Sequence, residues 1–185
     1  AISLDPFNSE YQFNLSLLYL LRGMFDKGWE MYRSRFNVKQ AKTIKKNISS
    51  SKKPVWNGES LKGKSLLVYF EQGIGDTIQF LRYLPWVAKQ AKNVSFFCSD
   101  DLMPVVEYNA KSLMIKTIPK GIFNTHDFDF QAPLVQLPII HNTNLSNIFA
   151  SQQYLKADPS RKNKFSKYFT SKKFKIGFFW QGNPQ

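Results

Sequence analysis

The stretch that decides the fold is Leu66-Leu67-Val68-Tyr69-Phe70-Glu71-Gln72-Gly73-Ile74-Gly75-Asp76, followed by a helix-like segment from Thr77 to Ala91. An apolar run, a turn bearing two glycines and a helix start read as strand, loop and helix, the opening unit of an α/β sheet. Ligands of open α/β sheets collect at the carboxyl ends of strands, where glycine admits close approach and a helix start presents unpaired N–H groups. Asp76 is therefore the first candidate functional residue, with Gln72, Gly73, Gly75 and Gln79 around it.

Working outward, the chain after Pro54 alternates strand-like and helix-like runs. Strands are expected near 65–70, 94–98, 114–118 and 128–131, and helices near 77–91, 101–110 and 144–150. A polar helical stretch at 159–169 precedes Phe174-Lys175-Ile176-Gly177-Phe178-Phe179-Trp180, a buried-strand pattern, and then the turn Gln181-Gly182-Asn183-Pro184. That last strand and turn read as the opening of a second α/β domain, covering 173–185.

Upstream, Tyr11, Leu15, Leu18 and Tyr19, then Phe25, Trp29, Tyr32 and Phe36, recur at helical spacing around Gly23. Two short amphipathic helices packed as a pair are expected over 1–36. The pattern Asn14-Leu15-Ser16, Tyr19, Gly23, Gly28, Tyr32 resembles one tetratricopeptide repeat, with Ser16 and Gly28 where that family usually has Gly and Ala, and an ordinary helical hairpin is the alternative. One repeat cannot bury its own face, so a repeat here is expected to be the last of an array. Residues 37–53, with six lysines and Ser49-Ser50-Ser51, read as a basic polar linker.

Composition narrows the function classes. With 43% apolar and 16% aromatic residues over 185 positions, the chain has the material for a core. A net charge of +13, carried by scattered lysines, points to anionic small molecules or surfaces before nucleic acid. One cysteine, Cys98, excludes a disulfide or thiolate metal site within the chain and fits a cytoplasmic setting. No apolar run reaches the length of a membrane span.

The residues carry several chemical possibilities. Asp76, with Gln79 three positions on, has the pattern of a helix N-cap in a capping box; as a carboxylate at a glycine-lined strand end it is also placed to take a proton from an acceptor hydroxyl. A dinucleotide fingerprint would need a small residue where Ile78 stands, although Asp100 and Asp101 follow the second strand where a ribose-binding acid belongs. His126 and His141 have no partner at metal spacing and read as surface or satisfied histidines. Trp56, Trp86 and Trp180 read as core or interface anchors.

Several segments together resemble a known family. Trp56-x-Gly58-Glu59-x-Leu61-x-Gly63-Lys64, the run Glu71 to Pro85, Pro133-Leu134-x-x-Leu137-Pro138, Tyr154-Leu155-x-Ala157-Asp158-Pro159 and Ile176-Gly177-x-x-Trp180-x-Gly182-Asn183-Pro184 are similar to bacterial tetratricopeptide-repeat proteins fused to a glycosyltransferase domain related to the ADP-heptose heptosyltransferases, glycosyltransferase family 9-like. The resemblance implies a GT-B architecture, with a Rossmann-like acceptor-side domain over 54–172 and a donor-binding domain opening at 173–185. It implies inverting, metal-independent transfer from a nucleotide-sugar donor to a hydroxyl acceptor, with no tightly bound cofactor. Asp76 matches the proposed base of heptosyltransferases, and Gln181, Gly182 and Asn183 fall on the donor-side loop. Gln79 departs from their usual His, so the acceptor is expected to differ from heptose on lipopolysaccharide. The repeats would recruit a protein or glycan acceptor, and this chain by itself is expected not to transfer sugar. The alternatives are an interaction protein with a non-catalytic α/β domain and, more remotely, an NAD-dependent enzyme.

Overall fold

The computed structural model describes residues 4–39, 51–119, 127–149 and 153–178. Two compact units are present, Ala1–Leu155 and Lys156–Gln185.

In the first unit, two helices, α1 (Ser9–Leu21) and α2 (Phe25–Tyr32), pack on each other and run into a 3-10 turn, Arg33–Phe36. Asn8 caps α1 by accepting from the Glu10 and Tyr11 amides. Gly23, at φ +75°, makes the turn between the helices, a conformation open to glycine at little cost. Gly28 is needed for a different reason. A Cβ there would lie 2.6 Å from Leu20 Cδ2 and 3.1 Å from the Leu20 amide nitrogen, so the helices close over hydrogen alone. The pair of helices expected over 1–36 is thus observed.

A four-stranded sheet follows, built from β1 (Ser65–Tyr69), β2 (Asn93–Phe97), β3 (Lys116–Ile118) and β4 (Phe130–Pro133) in the order β3-β2-β1-β4. Every pairing is parallel, with Val68 opposite Phe96 on one side and Ala132 on the other. Flanked on both edges, β1 can be apolar throughout; Leu66, Leu67 and Val68 are fully buried. Pro54 to Trp56 lies along β4, with Gln131 donating its amide to Pro54 O and accepting from the Trp56 amide.

The helices are α3 (Ile74–Phe80), α4 (Leu84–Ala88), α5 (Met103–Leu113) and α6 (Gln136–Ile140). The single helix expected over 77–91 is two helices joined by a 3-10 turn at Leu81–Tyr83, because Pro85 has no amide to give and sits in the first turn of α4. The main core joins Leu66 and Val68 of β1 to Leu81, Leu84, Val87, Val106 and Leu113, with Trp56 buried among them and Trp86 packed against it, ring centres 6.1 Å apart. Trp56 and Trp86 are the core anchors expected. Cys98 is buried in this core, which pushes its thiol up to about 12.

The helix expected at 144–150 is corrected. Residues 144–149 form turns, not a helix: Asn144 Oδ1 accepts from the Ser146 amide and Asn147 Oδ1 from the Asn144 amide, satisfying locally what a helix ladder would otherwise use. The helix lies earlier, as α6, buried over Gln136 to Ile139 despite Pro138. Of the stretch read as a linker, 37–39 and 51–53 are described, and there Val38 and Ser51 are buried while Lys39 and Lys52 are exposed.

The second unit holds α7 (Pro159–Phe165), capped by Asp158, and a 3-10 turn at Ser166–Phe169. Of the run 174–180 read as a buried strand, residues 174–178 are described, and they carry no strand. Among the described residues no strand pairs with them, and Phe174 is 91% exposed and Phe178 78% exposed. Without a neighbouring ladder an apolar run has neither amide partners nor a face to cover.

Candidate functional site

Glycine at the end of β1 sets the geometry. Gly73 is the N-cap of α3, so the helix starts one turn earlier than its capping pattern suggests. Asp76 therefore stands in the first turn and is not the cap, which corrects the capping-box reading. Its carboxylate folds back to within 3.4 Å of where a Gly73 Cβ would be, and a negative charge in the first turn complements the helix dipole. Thr77 turns inward and ties the start of the helix, its hydroxyl donating to Gly73 O at 2.9 Å.

Gly73, Gly75, Asp76 and Gln79 are all exposed, so four of the sequence-derived positions share the outer surface of one loop and helix. Neither glycine has a positive φ. Nothing in the structure requires glycine at 75, since a Cβ there would meet nothing within 4 Å. The face carries a carboxylate and an amide, both exposed.

Gln72 is placed differently. Its side chain donates to the Tyr32 hydroxyl of α2 at 2.5 Å, so it is turned to the hairpin. Beside it the Glu71 carboxylate, fully withdrawn from solvent, accepts from Arg35 Nε at 3.1 Å, from Arg35 Nη2 at 3.3 Å and from the Val135 amide at 2.9 Å. Arg35 Nη2 also reaches Gln136 Oε1, and Gln136 donates onward to Asn57. The guanidinium stacks 4.1 Å from the Phe36 ring centre. Sequence reading missed this network: its partners lie 36 and 64 residues apart, and the one local hint is an arginine enclosed by the aromatics Tyr32 and Phe36.

A cleft of about 290 Å³, lined by Leu20, Phe25, Trp29, Gln79, Arg82 and Thr143 among others, runs between the hairpin and α3. Trp29 closes one wall by donating to Thr143 O at 2.7 Å. Arg82 is spent on structure, donating to the Gln79 and Phe149 carbonyls and the Tyr154 hydroxyl. A second concavity, about 410 Å³, touches Ser65, Asn93 and Lys116 at the amino ends of the strands, away from the glycine loop.

His141 is a satisfied histidine, as expected: Nδ1 lies 3.1 Å from the Thr143 hydroxyl, and Trp86, Tyr83 and Phe149 surround the ring. Burial holds its pKa below the usual histidine value. Asp100 and Asp101 are exposed after β2. His126, Trp180 and the donor-side positions Gln181, Gly182 and Asn183 lie outside the described residues. Among the described residues no group of three or more His, Cys, Asp or Glu is arranged to hold a metal, and no helix is long and apolar enough to cross a membrane.

The chain is 30% identical over 115 residues to Protein FlbA of Caulobacter vibrioides, a match spanning 62% of this chain and 18% of that protein. No family model matches the chain, and no solved structure does.

Proposed function

We propose that this chain carries the acceptor side of a glycosyltransferase, in which Asp76 removes the proton of an acceptor hydroxyl. The observation that carries the reading is the exposed carboxylate of Asp76 beside two glycines at the carboxyl end of β1, a central strand of a parallel sheet. There the chain order reverses, β2 lying to one side and β4 to the other, and crevices at such reversals are where α/β sheets take ligands. The fold is read as Rossmann-like on this order, and the hairpin as a tetratricopeptide-like repeat.

In the proposed step the acceptor oxygen bonds to the anomeric carbon as its proton passes to the Asp76 carboxylate. The bond from that carbon to the diphosphate oxygen breaks, and the nucleoside diphosphate leaves with the electron pair. Gln79, one turn along the same face, would orient the acceptor. The donor is assigned to the second α/β unit that the resemblance implies, whose loop would include Gln181 to Asn183. A proton acceptor so placed contributes about 10²- to 10⁴-fold in rate.

The test is sugar transfer by the full-length protein, wild type against Asp76→Asn, over a panel of nucleotide sugars and acceptors. Loss of at least about 10² in kcat, with stability changed by less than about 1 kcal/mol for the lost charge at the helix start, is expected. Equal activity in both would reduce Asp76 to a helix-start charge. A second reading has its own observation: Leu17, Leu18 and Leu21 expose 44%, 57% and 83% of their surface on α1, a face suited to protein contact. Absence of transfer in the wild type over the whole panel would favour an interaction protein.

A further inference from the structure

We propose that Tyr32 and Arg35, at the end of the helical hairpin, are positioning residues for the Glu71–Asp76 loop, so that the hairpin is part of the scaffold of the site and more than a recruitment surface. This rests on reading Asp76 as the proton acceptor.

Both residues that precede the glycine turn are held from the hairpin, Glu71 sharing its carboxylate between Arg35 and the Val135 amide. Gln72 donates to the Tyr32 hydroxyl. Glu71 is gripped by the two-pronged Arg35 guanidinium, whose planar fork fixes orientation as well as distance. The Arg35 and Glu71 side chains are 2% and 0% exposed. A buried ion pair is a poor stabiliser compared with apolar residues of like size, and its best-attested use is to fix how two elements register. Here the two elements are the hairpin and the loop.

The hold is short-range in both directions. Tyr32 and Arg35 lie within one run, the last residue of α2 and the 3-10 turn after it. Gly73 follows Gln72 directly, caps α3, and lies against the Asp76 carboxylate. The Tyr32 hydroxyl lies in the field of Arg35, Glu71 and Asp76, and its burial keeps it protonated. A shift of the hairpin of about 1 Å would carry Asp76 with it, and misplacement on that scale costs about 10²-fold in rate.

Tyr32→Phe keeps the ring packed between Phe13 and Trp29, 5.4 and 5.8 Å away, and removes only the hydroxyl; Arg35→Lys keeps the charge and removes the fork. In the full-length protein, kinetics are measured beside amide hydrogen exchange, with β1 and β2 as the internal reference. For Tyr32→Phe, kcat is expected to fall about 10- to 100-fold at unchanged donor KM, while exchange at residues 73–77 speeds about tenfold and the sheet amides stay unchanged; Arg35→Lys should do the same. Unchanged loop exchange, an unchanged kcat in both variants, or equal acceleration in loop and sheet would overturn the proposal. A wild type with no transfer activity would instead remove the reading of Asp76, and the exchange arm alone would then decide whether the hairpin holds the loop.

Discussion

The hairpin and the segment from residue 156 onward flank the same sheet in sequence, yet their texture and their fate are opposed. Residues 1–36 read as a repeat set apart by a lysine-rich linker, but they fall within the compact unit that holds the sheet. Residues 174–180 read as one more buried strand, but of those described Phe174 and Phe178 are exposed. Apolar content does not separate the two. The hairpin is tied to the sheet by Tyr32 with Val135 and Ile139 in a second core, the Trp29 bond to Thr143 O, and the Arg35 fork on Glu71. Specific partners fix the hairpin, and hydrophobicity alone does not.

The sharpest way to break the contrast is Arg35→Met, which leaves Glu71 buried and uncompensated. A loss of about 3–5 kcal/mol is expected in denaturant unfolding, whereas a loss below about 1 kcal/mol would mean that the hairpin is held by packing alone. Gly28→Ala comes next, at about 1–3 kcal/mol, since the new Cβ meets the Leu20 side chain and backbone; no change in Tm would show that the helix pair has slack. Trp29→Phe removes the bond to Thr143 O at about 1 kcal/mol. Phe178→Ser, on the other side of the comparison, should alter stability by no more than about 0.5 kcal/mol. A large loss there would mean that the run is covered in solution.

A smaller, pH-dependent term belongs to the hairpin side of the sheet. Burial among aromatics lowers the folded pKa of His141 below its unfolded value near 6.5, so the unfolded chain binds the extra proton first. Stability is therefore fully present above about pH 6.5 and is lost as pH falls from there through the folded pKa. Chemical denaturation at pH 7.5, 6.5 and 5.5 should show the decline, and a flat profile would count against the buried ring.

Much of the sheet is legible from alternation alone, since all four strands fall within two or three residues of their expected places. Asp76, Gly75 and Gln79 are legible as one face because strand, turn and helix follow each other directly. What resists reading has identifiable causes. Gly73, four residues past the end of β1, takes the cap that the Asp76–Gln79 spacing advertises, and glycine is among the residues that cap helices well. The turns at 144–149 follow from asparagine side chains competing with the backbone, a tendency that apolar periodicity does not register. The Arg35–Glu71 pair joins positions that no local window contains.

Cys98 lies in the main core with its thiol pushed up to about 12, so at neutral pH almost none of it is the reactive thiolate. It is the one cysteine among these 185 residues. Within these 185 residues Cys98 is thus expected to be unreactive toward maleimides, and a cysteine introduced at exposed Gln79 or Leu18 is expected to take up a fluorophore or spin label in preference to it.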